Sequence, residues 1–183
     1  MKWYGVLFLF FVASFTANLT NLIRMDARET VAAKPAGFVP ATRVALPETA
    51  LKPLSDSQNM PSAPFLLVFF AADCPYCKMQ HEVLKTVRKD IPIVGVMTRP
   101  DKSNQFEKWL KNGNPYAFVG RDATGQWARI FRVYGIPVSF VVDGKKEAFL
   151  RHEGAFTAEK YDAVIREQIL NVLENREKND ARP

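Results

Sequence analysis

The sequence predicts an α/β fold in which a central mixed sheet is flanked by helices. The first observation is an apolar run, Phe65–Phe70, that leads directly into a helical pattern beginning at Cys74. The second is another buried-strand run at Ile93–Met97. The third is a hairpin pattern in which the turn Asp143-Gly144 separates two strand-like stretches. The predicted order is βαβα followed by ββα, so we expect parallel and antiparallel neighbours in one sheet.

The remaining elements follow from periodicity and capping signals. The first helix is predicted from Cys74 to about Lys89, with an apolar stripe that should face the core. A second helix should end near Lys111, capped at its start by Asp101 or Ser103. In the first of these two helices, the apolar stripe consists of Met79, Val83, Leu84 and Val87. The later elements are predicted at 116–119 (strand), 126–134 (helix), 138–142 and 147–152 (hairpin), and 157–174 (closing helix).

The segment Cys74-Pro75-Tyr76-Cys77 holds both cysteines of the chain. A thiol at a helix N-terminus meets unpaired backbone N–H groups and the positive end of the helix dipole, which stabilise its thiolate. A second thiol three residues later can attack the mixed disulfide that the first one forms. Pro75 suits the first helical turn, where its missing N–H costs nothing. The motif predicts a thioredoxin-type redox site in which Cys74 attacks and Cys77 resolves.

Other roles for the two cysteines fit the sequence less well. A structural disulfide between them would close a loop too short to stabilise the fold much. A zinc site would need two more ligands, and the chain has only two histidines and no second cysteine pair. Because His81 lies four residues after Cys77, the set Cys74, Cys77 and His81 is a candidate copper site, and a copper metallochaperone is the alternative from another class. We expect no metal and no cofactor beyond the redox-active disulfide itself.

The N-terminal segment predicts export. Lys2 is followed by a compact apolar block that runs to Phe15, which is the form of a secretory signal peptide. Cleavage after Ala17 would place Phe15 where a small residue is preferred, whereas an uncleaved hydrophobic helix ending at Arg24 is about long enough to span a bilayer. Residues 1–24 are therefore a signal peptide or a membrane anchor. In either case Lys2 stays inside and the rest of the chain is translocated.

Three further regions complete the predicted organisation. Residues 25–63 are rich in proline and are expected to form an extended, semi-rigid linker, within which 44–46 is a candidate edge strand. The catalytic domain is predicted at 64–175 and a charged tail at 176–183. The net charge of +6 is carried by scattered Lys and Arg without a long basic run, so no nucleic-acid partner is predicted.

A second constellation leads to a family resemblance. Pro137 stands just before the first hairpin strand, where a cis peptide bond after Ile136 would explain it. The Cys74–Cys77 motif and the segment ending at Pro137 resemble the two halves of a thioredoxin-fold active site. Five segments in order are similar to the membrane-anchored periplasmic thioredoxins of cytochrome c maturation, the DsbE/CcmG type. These segments are Cys74-Pro-Tyr-Cys-Lys-Met-Gln-His81, Gly113-Asn-Pro-Tyr116, Val133-Tyr-Gly-Ile-Pro137, Val142-Asp-Gly144 and Arg151-His-Glu-Gly154.

This resemblance implies the thioredoxin fold and a thiol:disulfide oxidoreductase that acts on client proteins, apocytochrome c among them. It implies a client groove formed by Pro75, Tyr76, Ile136 and Pro137, with Pro137 cis and opposite the cysteines. It also implies a periplasmic protein anchored in the bacterial inner membrane that receives electrons from a membrane thiol reductant. Its task would be to keep client cysteines reduced. An oxidase or isomerase for exported proteins, such as those of a secretion apparatus, is the alternative.

Three positions depart from the patterns of these relatives. Asp73 stands where the family usually has Trp, and Val138 stands where it usually has an acidic residue. Val68 occupies the position at which general thioredoxins carry a buried Asp. Because Asp73 is negatively charged, we expect it to oppose the Cys74 thiolate, weakly if it is exposed to water and salt.

Overall fold

A seven-stranded mixed sheet organises the part of the chain that the computed structural model describes, which is residues 38–55, 59–87 and 91–164. The strands are β1 (Val39–Ala45), β2 (Lys52–Pro53), β3 (Phe65–Phe70), β4 (Ile93–Met97), β5 (Phe118–Arg121), β6 (Val138–Val142) and β7 (Glu147–Glu153). The helices are α1 (Pro75–Thr86), α2 (Gln105–Lys111), α3 (Gln126–Ile130) and α4 (Ala158–Val164). Across the sheet the strands lie in the order β1-β7-β6-β3-β4-β5-β2.

The centre of the sheet is β3, which is buried at every residue. It runs parallel to β4 and antiparallel to β6, while β4 runs parallel to β5. Strands covered on both faces become continuous apolar runs, which is why 65–70 and 93–97 are apolar throughout. The hairpin of β6 and β7 pairs antiparallel around the predicted turn. The predicted mixed sheet and the thioredoxin fold are confirmed.

Alternate residues of β3 point to opposite faces of the sheet, and each face carries its own core. The even-numbered side chains of β3 pack with α1, α2 and α4, and the odd-numbered ones pack with α3. Helices therefore cover both faces of the central strand. The first core includes Leu66, Val68, Phe70, Cys77, Leu84, Phe106, Trp109 and Tyr161, and the second includes Phe65, Leu67, Phe69, Trp127, Phe131 and Phe140.

The start of α2 distinguishes between the two predicted capping residues. The Asp101 carboxylate accepts hydrogen bonds from the backbone N–H groups of Gln105 and Phe106, at 3.0 and 2.7 Å. These two N–H groups belong to the first turn of the helix and have no partner within it. Asp101, rather than Ser103, therefore provides the side-chain acceptor for the start of the helix.

Four predicted boundaries or faces differ from the structure. The first helix was expected to reach about Lys89, but α1 ends at Thr86 because Val87 is extended, with ψ of 155°. Met79 was expected in the buried stripe of α1, but its side chain is 57% exposed, because the buried face runs through Cys77, Gln80, His81 and Leu84. The strand expected at 116–119 is β5, which begins two residues later. The helix expected at 126–134 is α3, which is shorter because Arg132 adopts a left-handed conformation with φ of 51°.

Both edge strands of the sheet come from the segment predicted as a linker. β1 pairs antiparallel with β7, and β2 pairs antiparallel with β5. The candidate edge strand at 44–46 overlaps the end of a longer strand, since Val44 and Ala45 belong to β1 and Leu46 follows it. Arg43 Nη1 lies 3.1 Å from Asp143 Oδ2 and 3.0 Å from Glu147 Oε2, which joins β1 to the turn of the hairpin. The packed sheet begins well before the predicted domain start at residue 64.

Some predictions concern residues that are not described. The N-terminal hydrophobic helix at 1–24, the first part of the linker, the closing helix beyond Val164 and the tail at 176–183 lie outside the described ranges. Within those ranges, none of the helices combines the length and the apolar character needed to cross a bilayer.

Candidate active site

Cys74 lies where the chain leaves the centre of the sheet and enters α1. After β3 ends at Phe70, a three-residue connection leads to Cys74, which is the N-cap of the helix. The backbone N–H of Cys77 donates to the Cys74 sulphur over 3.3 Å. Pro75 occupies the first helical turn, as predicted. A sulphur at a helix N-cap that already accepts an N–H hydrogen bond is suited to carry negative charge.

The two thiols differ in exposure. Both are free thiols in this structure, and Cys74 is 8% exposed against 1% for Cys77. Burial raises the pKa of the Cys77 thiol, and the hydrogen bond and charge of Cys74 raise it further. Cys74 is therefore the more accessible thiol, as expected for the attacking residue, and Cys77 is held in its protonated form.

The loop before β6 brings the second predicted segment to the cysteines. The Ile136–Pro137 peptide bond is cis, so that prediction is confirmed. The Cys74 thiol faces the carbonyl oxygen of Ile136, with 3.8 Å between sulphur and oxygen. The Pro137 carbonyl oxygen accepts the backbone N–H of Gly154 over 2.8 Å, which ties this loop to the end of β7. Residues 62 positions apart in the chain thus meet at one site.

The buried face of α1 carries two uncharged polar side chains beside Cys77. Gln80 Oε1 accepts the backbone N–H of Phe156 over 2.8 Å, which joins α1 to the segment before α4. The imidazole of His81 is buried, with its ring centroid 5.5 Å from that of Trp109 and 5.7 Å from that of Tyr116. Burial lowers the pKa of His81, so the ring is neutral at pH 7.

The candidate copper set is not assembled as a metal site. In the described ranges, no group of three His, Cys, Asp or Glu side chains is placed to hold a metal ion. The ring of His81 lies instead within the aromatic cluster around Trp109 and Tyr116.

Asp73 does not stand alone beside the nucleophile. Arg99 Nη2 lies 3.0 Å from Asp73 Oδ1, so the charge expected to oppose the Cys74 thiolate has a counter-charge. Thr98 holds the loop that carries Arg99 in place by donating its backbone N–H and its hydroxyl to the Phe70 carbonyl oxygen, at 2.9 and 3.1 Å. Arg99 was missed in the sequence. The signal was available, because neighbouring parallel strands such as β3 and β4 end at the same edge of a sheet.

Three apolar side chains on the two active-site segments are exposed to solvent. Tyr76 is 64% exposed, Met79 is 57% exposed and Tyr134 is 91% exposed. Only Tyr76 was predicted as a groove residue. By contrast, Val138, which stands where the relatives usually have an acidic residue, is buried in the core under α3.

Comparison with known proteins agrees with this fold. The model of the thioredoxin-like domain family matches residues 58–169. The thiol:disulfide interchange protein DsbE of Yersinia pestis is 32% identical over 168 residues, which cover 90% of this chain and 87% of that protein. DsbE of Pasteurella multocida is 36% identical over 115 residues, which are 62% of this chain and 63% of that protein, so this chain spans less than two thirds of it. A Chlorobium tepidum structure assigned as DsbE has a TM-score of 0.56 and 25% identity, and the match covers 74% of this chain and 99% of that one.

The sheet order and the thiol pair at the start of α1 define a thioredoxin-like protein, and the chain belongs to the thioredoxin-like domain family. Within it, the chain is a DsbE/CcmG-like thiol:disulfide oxidoreductase, since the Yersinia relative aligns along nearly the whole sequence. The predicted family and enzyme class are confirmed.

Proposed function

We propose that this protein is exported and reduces disulfides of client proteins through Cys74 and Cys77. The observation that carries the proposal is the position of Cys74. Its sulphur caps α1, accepts the N–H of Cys77 over 3.3 Å and faces the Ile136 carbonyl oxygen at 3.8 Å. A partly accessible sulphur at a helix N-cap, beside a second and more deeply buried thiol, is the arrangement that disulfide exchange requires.

The reaction begins when the Cys74 thiolate attacks one sulphur of a client disulfide. A Cys74–client mixed disulfide forms, and the other client sulphur leaves as a thiolate. Cys77 then loses its proton to solvent and attacks Cys74 Sγ, which releases the second client thiolate and leaves a Cys74–Cys77 disulfide. Two electrons pass from the protein to the client, and a thiol reductant of the membrane restores both thiols.

The pKa of Cys77 supports this order of events. In the dithiol form, burial raises its pKa, and the hydrogen bond and charge of Cys74 add to the increase. Once Cys74 is in a mixed disulfide it no longer carries a negative charge, so the part of the increase in the Cys77 pKa that came from this charge disappears. Deprotonation of Cys77 therefore becomes easier at the step where its thiolate is needed.

The client surface is proposed to consist of Pro75, Tyr76, Ile136 and Pro137. Tyr76 and Tyr134 are exposed, the first on the helix that Cys74 caps and the second two residues before Ile136. Exposed aromatic side chains beside a reactive thiol favour a client cysteine with apolar neighbours. Apocytochrome c is the client class suggested by the family resemblance.

The N-terminal residues 1–24 are proposed to place the catalytic domain in the periplasm, as an anchor in the inner membrane followed by a linker. Lys2 and the apolar block after it support this arrangement. A reporter fused after Pro183 should be active only outside the cytoplasm, and the intact mass of the mature protein will distinguish an anchor from a cleaved signal.

The redox potential of the Cys74–Cys77 pair, measured against glutathione, tests the direction of exchange. Related thioredoxin-fold proteins extend from about −270 mV for reductants to about −120 mV for a strong oxidant. We expect a value nearer the reducing end. A value near the oxidising end would instead support an oxidase or isomerase of exported proteins.

A further inference from the structure

The Asp73–Arg99 ion pair lies at the rim of the active site and has no role in the exchange steps described above. Asp73 directly precedes the nucleophile Cys74, and its Oδ1 atom lies 3.0 Å from Arg99 Nη2. Both side chains are more than half exposed. An exposed pair of this kind contributes little to stability, so its position beside the thiols is the feature that calls for an explanation.

The backbone fixes the distance between this pair and the cysteines. The Phe70 carbonyl oxygen, at the end of β3, accepts both the N–H and the hydroxyl of Thr98, at 2.9 and 3.1 Å. This double hydrogen bond joins the loop that carries Arg99 to the connection that carries Asp73. The guanidinium is therefore held beside Asp73, the residue before Cys74, by main-chain geometry as well as by its ion partner.

The charge of Arg99 acts on Cys77. The pKa of Cys77 is raised mainly by burial, and Arg99 partly offsets this increase. A cation near a thiol favours the thiolate, and an anion opposes it. Asp73 directly precedes Cys74 and is in contact with Arg99, so two opposite charges stand side by side next to the nucleophile.

We propose that Asp73 and Arg99 act as a pair of opposite charges beside the nucleophile: the Thr98 hydrogen bonds to Phe70 hold the loop that carries Arg99, Arg99 favours exchange at Cys74, Asp73 opposes it, and the two together set the reactivity of Cys74. The inference rests on the proposed role of Cys74 as the attacking thiol. It gives a role to Asp73, at the position where the relatives usually have Trp.

The test measures alkylation of Cys74 by iodoacetamide, an uncharged reagent, at pH 7 in the full chain carrying Cys77→Ser. In this background Arg99→Gln should slow alkylation about two- to fivefold, and Asp73→Asn should accelerate it by a similar factor. The double variant should return close to the starting rate, and Arg99→Lys should retain most of it. In 1 M salt the differences should shrink, because exposed charges are screened. Lys102→Gln, which removes an exposed cation from the same loop, is the matched control and should leave the rate unchanged.

Opposite signs for the two single variants, together with the salt dependence, would support the proposal. A purely structural role for the loop would slow the reaction in both variants, independently of salt, and would overturn it, as would equal rates in all variants. The proposed function is tested separately in the protein with both cysteines: labelling of Cys77 before Cys74 would contradict the assignment of the nucleophile, whatever the variants of the ion pair do.

Discussion

The first two turns of α1 do not follow the pattern of an ordinary amphipathic helix. Their face toward the sheet buries polar groups, which are the thiol of Cys77, the amide of Gln80 and the imidazole of His81. Their face toward solvent exposes the apolar side chains of Tyr76 and Met79 beside that of Lys78. A helix that served only the core would bury apolar residues at these positions.

The two faces serve different steps of the proposed reaction. In the proposed mechanism, the buried face keeps Cys77 away from water and protonated until the mixed disulfide has formed, which agrees with its raised pKa. The exposed face offers apolar area for contact with a client, as exposed aromatic side chains do at protein interfaces. Variants on the two faces should therefore fail in different ways.

The largest expected effect separates the two cysteines. Cys74→Ser should reduce the rate of client disulfide reduction about a thousandfold or more, because no other thiolate can start the exchange. Cys77→Ser should instead accumulate mixed disulfides with clients, which non-reducing gels and mass spectrometry will detect. Equal amounts of trapped client in both variants would remove the distinction between an attacking and a resolving thiol.

The next effect compares the stability contributions of the two faces. Leu84→Ala, on the buried face, should lower the free energy of unfolding by about 2–5 kcal/mol through lost packing and the cavity left behind. Met79→Ala, on the exposed face, should change it by less than about 0.5 kcal/mol. Urea unfolding measures both. A large loss for Met79→Ala would mean that this face is covered in solution.

A pH-dependent loss of stability should come from the buried face. Burial lowers the pKa of His81 in the folded protein, whereas the unfolded chain takes up a proton near pH 6.5. The unfolded state therefore binds more protons than the folded state below about pH 6.5. As the pH is lowered below that point, the free energy of unfolding should decrease by up to about 1.4 kcal/mol per pH unit.

His81→Gln should remove this slope whatever its effect on stability at pH 7, and Met79→Ala on the opposite face should keep it. Urea unfolding at pH 5, 6 and 7 provides the comparison. If the slope is the same in wild type and His81→Gln, the histidine is not the group that titrates.

The smallest expected effect lies on the exposed face. Tyr76→Ala should raise the KM for a disulfide-containing client peptide about two- to tenfold, which corresponds to the loss of one aromatic contact, and should leave the unfolding free energy unchanged within about 0.5 kcal/mol. Lys78→Ala changes another exposed residue of the same helix and serves as the control. A client affinity that depends on Lys78 rather than on Tyr76 would point to a charged contact surface.

Much of the fold follows from local patterns. β3 and β4 could be predicted because strands buried on both faces contain only apolar residues. The redox site could be predicted because a helix N-terminus and two thiols one turn apart are local features, contained within four consecutive residues. The hairpin of β6 and β7 was predicted because its turn residues and strand residues are contiguous. In each case the information lies within a short window of sequence.

The sequence by itself therefore determined the mixed sheet, the position of the thiol pair and the membership of a thioredoxin-like family. The packing of distant segments fixed what local patterns could not: the 3.8 Å between the Cys74 sulphur and the Ile136 carbonyl oxygen, the ion pair of Arg99 with Asp73 and the place of β1 at one edge of the sheet. It also decided which side of α1 is buried, placing Met79 outside and His81 inside. The physical reason is that periodicity shows a helix has an apolar or polar face, but the elements that pack against it, distant in the chain, determine which residues lose contact with water.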